Sequence, residues 1–202
     1  MKTALTVGCG STNGSVIVDT LVGQGYQVIN IGSSSHLAAQ NIAVVWKDLG
    51  IAELHKLLKF DSQFDFVFFN HNASSLNQMD FEFDKLDTLD SWKLVKNWQH
   101  SYWLSCQLPF LLLHTIRKNL TKSTKIGFML SGTMMWDRQD SIQYPDYSSQ
   151  KYFNYLAMQC LSKHYQTFGI MPDFNQKDSQ NKLKSVIINV CSNDMKNNIF
   201  QV

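Results

Sequence analysis

The stretch Ala4-Leu5-Thr6-Val7-Gly8-Cys9-Gly10-Ser11-Thr12-Asn13-Gly14 decides the fold. Its first four residues read as a short buried strand that runs directly into a glycine-rich turn. From Ser15 the periodicity changes: Val16, Ile17, Leu21 and Val22 form the apolar face of a helix that stops at Gly25. Tyr26 to Ile31 then reads as a second strand. A β-turn-α-β unit with glycines in its first turn places a dinucleotide pyrophosphate over a helix N-terminus, because glycine admits positive φ and lets the backbone approach phosphate. A turn without a ligand is the plain alternative; the strand before it and the helix after it favour the dinucleotide.

Outward from this unit, strands and helices keep alternating. Ser33-Ser34-Ser35-His36 is followed by a helix-like segment from Leu37, a third strand over Ile42 to Trp46, and a helix over Ile51 to Leu58. Phe64 to Phe69 is apolar nearly throughout, as a strand buried on both faces should be. A long polar connection spans Asn77 to Asp90. Trp92 to Leu113 predicts a long helix with Leu94, Val95, Trp98, Tyr102 and Leu104 at helical spacing and Pro109 as a kink or break. Ile126 to Leu130 is a fifth strand, and Gly132 to Pro145 has the composition of a loop. Asp146 is placed to cap a helix that reaches about Phe168, with Phe153, Leu156, Ala157, Cys160 and Leu161 inward. Asp173 to Lys184 reads as a polar excursion and Ser185 to Val190 as a sixth strand. The pattern predicts one α/β domain over residues 1–202, a Rossmann-type doubly wound parallel sheet between two helical layers, with strand order 3-2-1-4-5-6.

Composition sets the class. The 202 residues are 44% apolar and 17% charged, values of an ordinary globular protein. A formal net charge of +2 without a Lys/Arg run points away from nucleic acid and from anionic membrane as partners. Cys9, Cys106, Cys160 and Cys191 are scattered, with no Cys-x-x-Cys pair and no histidine at zinc-ligand spacing, so no metal site is expected. Free thiols, a start that is too briefly apolar for a signal peptide, and the lack of a membrane-length apolar run predict a cytoplasmic protein.

The chemistry is carried by Tyr147-Ser148-Ser149-Gln150-Lys151, with Ser131 at the end of the preceding strand. Residues four apart on a helix share a face, so the ammonium is expected to sit beside the phenol and lower its pKa from about 10. Carbonyl reduction needs such a donor, because hydride arriving at carbon leaves negative charge on oxygen. The spacing alone also describes an exposed helix pair; the order along the chain, glycine turn first and serine next, raises the catalytic reading.

On these residues the chain resembles the short-chain dehydrogenase/reductase family over nearly its whole length. The family's Thr-Gly-x-x-x-Gly-x-Gly turn lies over Val7 to Gly14, with Thr12 in place of the middle glycine. The resemblance implies cofactor contacts from Gly8, Gly10, Ser11, Thr12, Asn13 and Gly14, from Asp48 at the adenine edge, and from Asn72-Ala73-Ser74 in place of Asn-Ala-Gly. It implies that Tyr147 donates the proton, that Lys151 lowers its pKa and holds the nicotinamide ribose, and that Ser131 holds the substrate oxygen. Asn97 is the choice for the fourth catalytic member, with Gln99 and His100 as alternatives. Ser192-Asn193 stands where the family has Pro-Gly after its sixth strand, and the chain stops at Val202, before much of the usual substrate lid and seventh strand.

The expected function is an NAD(P)-dependent oxidoreductase acting on a small carbonyl or alcohol; a dinucleotide-binding regulatory or scaffold protein is the alternative. NADP is preferred over NAD: no Asp or Glu lies between Asn30 and Gln40 to meet a free ribose 2′-hydroxyl, whereas Ser33, Ser34 and Ser35 offer hydroxyls and His36, when protonated, a charge to a 2′-phosphate; no Arg backs them, and a plain polar loop is the alternative. By analogy with the family, a homodimer or homotetramer is expected.

Overall fold

The computed structural model describes residues 1–45, 51–70, 95–96, 98–134, 145–172, 178–195 and 198–202. Seven strands form one sheet: β1 (Lys2–Val7), β2 (Tyr26–Gly32), β3 (Gln40–Ala43), β4 (Phe66–Phe69), β5 (Lys125–Met129), β6 (Gln166–Met171) and β7 (Asn198–Gln201). Their order is β3-β2-β1-β4-β5-β6-β7, and every neighbouring pair is parallel. The helices are α1 (Thr12–Gly23), α2 (Ile51–Leu57), α3 (Leu108–Thr115), α4 (Pro145–Leu161) and α5 (Ser179–Ser192). A Rossmann-type doubly wound fold results, with its topological switch point between β1 and β4.

Side-chain alternation along the strands makes two cores. Leu5 and Val7 of β1 and Val67 and Phe69 of β4 join Leu54, Leu108, Leu112, Ala157 and Met158 on the face covered by α2, α3 and α4. Ala4, Phe66 and Phe68 turn the other way, onto Ile17, Val18 and Leu21 of α1 and Leu183, Ile187 and Val190 of α5. Phe64, Phe66, Phe68, Phe128 and Phe168 are fully buried, each worth about 1.5–3 kcal/mol of transfer free energy.

Several sequence expectations need correction. The segment at Leu37 is a turn, not a helix; Asn41 binds its carbonyls from the side, holding the backbone open. The helix carrying Tyr147 begins at Pro145, so Asp146 lies inside its first turn, and it ends at Leu161, not near Phe168. Leu156 and Cys160 are exposed, and Lys151, Asn154, Ala157 and Met158 face inward. Gln166 to Phe168, read as the tail of that helix, open strand β6 (Gln166–Met171), paired with β5 from Lys125↔Gln166 to Met129↔Ile170.

The run Ser185 to Val190, read as a sixth strand, lies in α5. Its β-branched residues look strand-like in isolation, but Leu183, Ile187, Val190 and Cys191 are the buried ones, a helical stripe over two turns. Lys125 Nζ fixes the end of this helix by donating to the Val190 and Cys191 carbonyls at 2.6 and 3.2 Å. A seventh strand is therefore present, Ser192 closes a helix instead of following a strand, and Pro172 is the residue that follows the true sixth strand.

The helical residues 98–102 lead into a π-helical turn, Trp103–Gln107, directly before α3, with Pro109 in the first turn of α3. The kink or break expected at Pro109 is replaced by one wide turn upstream of it, and Pro109 sits where a helix tolerates proline. Val95, Trp98 and Tyr102, read at helical spacing with Leu104, are exposed, while Leu104 is buried. No helix among the described residues is long and apolar enough to cross a membrane.

Candidate active site

The glycine turn is held by side chains from the two flanking strands. Gly8 has φ 84°, a conformation that favours glycine, and its N–H donates to the Ile31 carbonyl at 3.0 Å. Asn30, fully buried in β2, accepts from the Cys9 N–H at 3.3 Å. Asn70, just past β4, donates from Nδ2 to the Gly8 carbonyl at 2.6 Å and to Ser11 Oγ at 3.0 Å. Ser11 is the N-cap of α1 and accepts from the Gly14 N–H at 3.2 Å. A Cβ on Gly14 would fall 2.6 Å from Cys9 Cα and 2.7 Å from Asn70 Nδ2, so packing alone requires glycine there.

The first turn-closing backbone bond of α1 runs from the Ser15 N–H to the Ser11 carbonyl at 3.0 Å. The amides of Thr12 and Asn13 precede it and point out of the helix, where a pyrophosphate would be held. Thr12 is exposed and is the first helical residue. Gly10 serves a different neighbour: a Cβ there would meet Ser34 Oγ at 2.5 Å, so the loop after β2 closes against the turn. Ser33, Ser34 and Ser35 are exposed on that loop. His36 does not join them, because Nδ1 accepts from the Ala38 N–H at 3.2 Å and Nε2 lies 3.5 Å from Asp19 of α1.

Beyond the switch point, Ser131 is buried one residue past Leu130, at the C-terminal end of β5. Its hydroxyl is hydrogen-bonded to the Tyr147 phenol from α4. Lys151 Nζ lies 5.4 Å from the centre of the Tyr147 ring and donates to the Met129 carbonyl at 2.8 Å. Phenol, ammonium and hydroxyl therefore meet at one end of the sheet. Their electrostatics depart from the sequence expectation. Burial raises the Tyr147 phenol above its usual 10, and the Ser131 hydrogen bond, not Lys151, draws it back. Lys151 is only 2% exposed. Burial lowers its amine from 10.5 to about 7, with the nearby Cys106 thiol opposing. Cys106, in the π-helical turn, is pushed up by burial to about 12. Desolvation of both partners outweighs the through-space help one gives the other.

Asp48, Asn72, Ala73, Ser74 and Asn97 lie outside the described residues, and Gln99 and His100 are exposed. Sequence reading missed Asn30, Asn41 and Asn70. Their signal was present: an amide inside an apolar strand, or just beyond one, has to find backbone partners. A cleft of about 440 Å³ between α1 and α5, lined by Asp19, Gln24 and Lys184 among others, contains none of the site residues. Among the described residues no group of His, Cys, Asp and Glu is arranged to hold a metal ion.

No protein-family model and no curated sequence matches the chain. Solved structures do. A short chain dehydrogenase family protein from Francisella tularensis superposes with a TM-score of 0.74 at 14% identity, covering 100% of this chain and 97% of that one. A carbonyl reductase from Pseudomonas aeruginosa gives 0.75 at 13% identity, covering 100% and 96%. BdcA, solved in complex with NADPH, gives 0.71 at 12% identity, covering 100% and 92%. The chain thus has the Rossmann-type fold of the short-chain dehydrogenase/reductase proteins.

Proposed function

We propose that the protein is an oxidoreductase of the short-chain dehydrogenase/reductase type, working with NADP(H) on a small carbonyl or alcohol. The observation that carries this reading is the convergence of Ser131, Tyr147 and Lys151 at the sheet end beside the switch point. The dinucleotide would lie against Gly8 to Gly14, with Ser33 and Ser34 at its ribose and Asp48 and Asn72-Ala73-Ser74 along its adenine and central portions. Its nicotinamide supplies or accepts the hydride. Tyr147, kept protonated by burial, gives its proton to the developing alkoxide; Ser131 donates a second hydrogen bond to the same oxygen. Lys151 holds the nicotinamide ribose and, when charged, favours the phenolate left behind. Asn97 is the fourth member of this assignment.

Two further parts of the reading concern the whole protein. Val95, Trp98, Tyr102, Phe110 and Leu156 are large apolar residues left exposed on the segment 95–115 and on α4. Phe153 bridges them through ring contacts to Tyr102 and Phe110 at 6.1 and 5.9 Å. A second copy covering this face gives a homodimer, or half of a homotetramer. The four free cysteines support a cytoplasmic location.

Calorimetric titration with NADPH and NADH, followed by a panel of carbonyl compounds monitored at the nicotinamide absorbance, tests the proposal. Binding of NADPH with oxidation by at least one carbonyl is expected; failure of both cofactors to bind overturns it. A dinucleotide-binding protein without turnover is favoured by one observation, the near-neutral Lys151. Cofactor binding with no oxidation across the panel would select that reading.

A further inference from the structure

The loop after β2 is held more firmly than an exposed polar loop requires. Asn41 of β3 accepts from the His36 N–H at 2.9 Å and donates to the carbonyls of His36 and Ala39 at 2.8 and 2.9 Å. The same side chain accepts from Asn30 Nδ2 at 3.2 Å. Asn30 in turn donates to the Ser34 carbonyl at 3.0 Å, and Cys9 Sγ approaches that carbonyl at 3.8 Å. One amide on β3 thus ties both ends of the His36–Ala39 turn to the strand that precedes it. The next link fastens Ser34 over Gly10, where no Cβ fits.

The outcome is a fixed row of exposed hydroxyls, Ser33 to Ser35, beside the glycine turn. No carboxylate interrupts the segment from Asn30 to Gln40, and Asp19 of α1 is engaged by His36 Nε2. Hydroxyls and backbone amides without a neighbouring carboxylate suit a phosphate, which only accepts hydrogen bonds, better than a ribose hydroxyl that seeks a carboxylate acceptor.

We propose that Asn41 is a positioning residue that sets dinucleotide preference, by holding Ser33–Ser35 against Gly10 as a neutral seat for a ribose 2′-phosphate. The proposal rests on the oxidoreductase reading above. Asn41 touches neither cofactor nor substrate and acts through the serine loop.

The test is titration calorimetry of the full chain with NADPH and with NADH, on the unaltered protein, Asn41→Ala and Ser34→Ala. Unaltered protein should bind NADPH more tightly. Asn41→Ala should weaken NADPH about tenfold, the scale of one hydrogen bond to a charged group, while NADH changes less than about twofold. Ser34→Ala should shift the ratio in the same direction. Equal loss for both dinucleotides, an unchanged NADPH affinity in Asn41→Ala, or equal binding of the two by the unaltered protein would overturn the proposal while leaving the oxidoreductase reading in place. If the unaltered protein binds neither dinucleotide, both fall.

Discussion

Lys151 shows what burial does to an amine. Its Nζ has a carbonyl partner at 2.8 Å, and its folded pKa lies near 7, against 10.5 when exposed. Between those values the unfolded chain carries a proton that the folded chain has shed, so stability rises with pH from about 7 to 10.5 and is flat below. Lys151→Met removes this dependence. The variant should exceed the parent in stability most at pH 7 or below, with the gap narrowing by about 1.4 kcal/mol per unit toward pH 10, measured by urea denaturation at several pH values. A constant gap would contradict the buried amine.

The same residue predicts a pH profile. Only the charged form favours the phenolate, so kcat/KM for carbonyl reduction should decline as pH rises through about 7. Tyr147→Phe should lower turnover by about a hundredfold or more, as loss of a general acid does, with NADPH affinity within about twofold by titration. That Ser131, Tyr147 and Lys151 come together was legible in the sequence, because residue type and spacing carry it. Their ionisation was not, since it depends on how completely the folded chain excludes water.

At the scale of elements, legibility followed the length of the apolar pattern. Strands β1, β2 and β4 read correctly, being short continuous apolar runs with glycine or polar punctuation. The run Ser185 to Val190 misled because six residues cannot separate a buried strand from part of a helix. β6 was missed because the helix ending at Leu161 was carried on to about Phe168, over the first residues of the strand. Gly127 in β5 tests the corrected register: a Cβ there would meet the Phe168 ring at 2.3 Å and Phe68 at 2.5 Å. Gly127→Ala should cost about 1–3 kcal/mol by overpacking, read as a lowered Tm; an unchanged Tm would contradict the β5–β6 pairing.

At the scale of the whole molecule, the exposed aromatic face predicts association. Tyr102→Glu combined with Phe110→Glu should shift sedimentation from dimer or tetramer to monomer without lowering helix content by circular dichroism. Sedimentation as a monomer before substitution would contradict the proposed interface. The alternation of elements was legible as far as β5, and beyond it the sixth strand was placed on a helix; the helix surfaces were not legible, because an apolar residue left exposed looks like one destined for the core.

Every strand in this sheet pairs in parallel, so no two neighbours can be joined by a hairpin. The central partners β1 and β4 are separated by most of the first third of the chain: Ala4 lies opposite Phe66. During synthesis the first strand leaves the ribosome with one hydrogen-bonding edge bare until the fourth arrives. That interval, when an apolar ribbon waits for its mate, is when a nascent chain is most exposed to capture by chaperones or by its own kind.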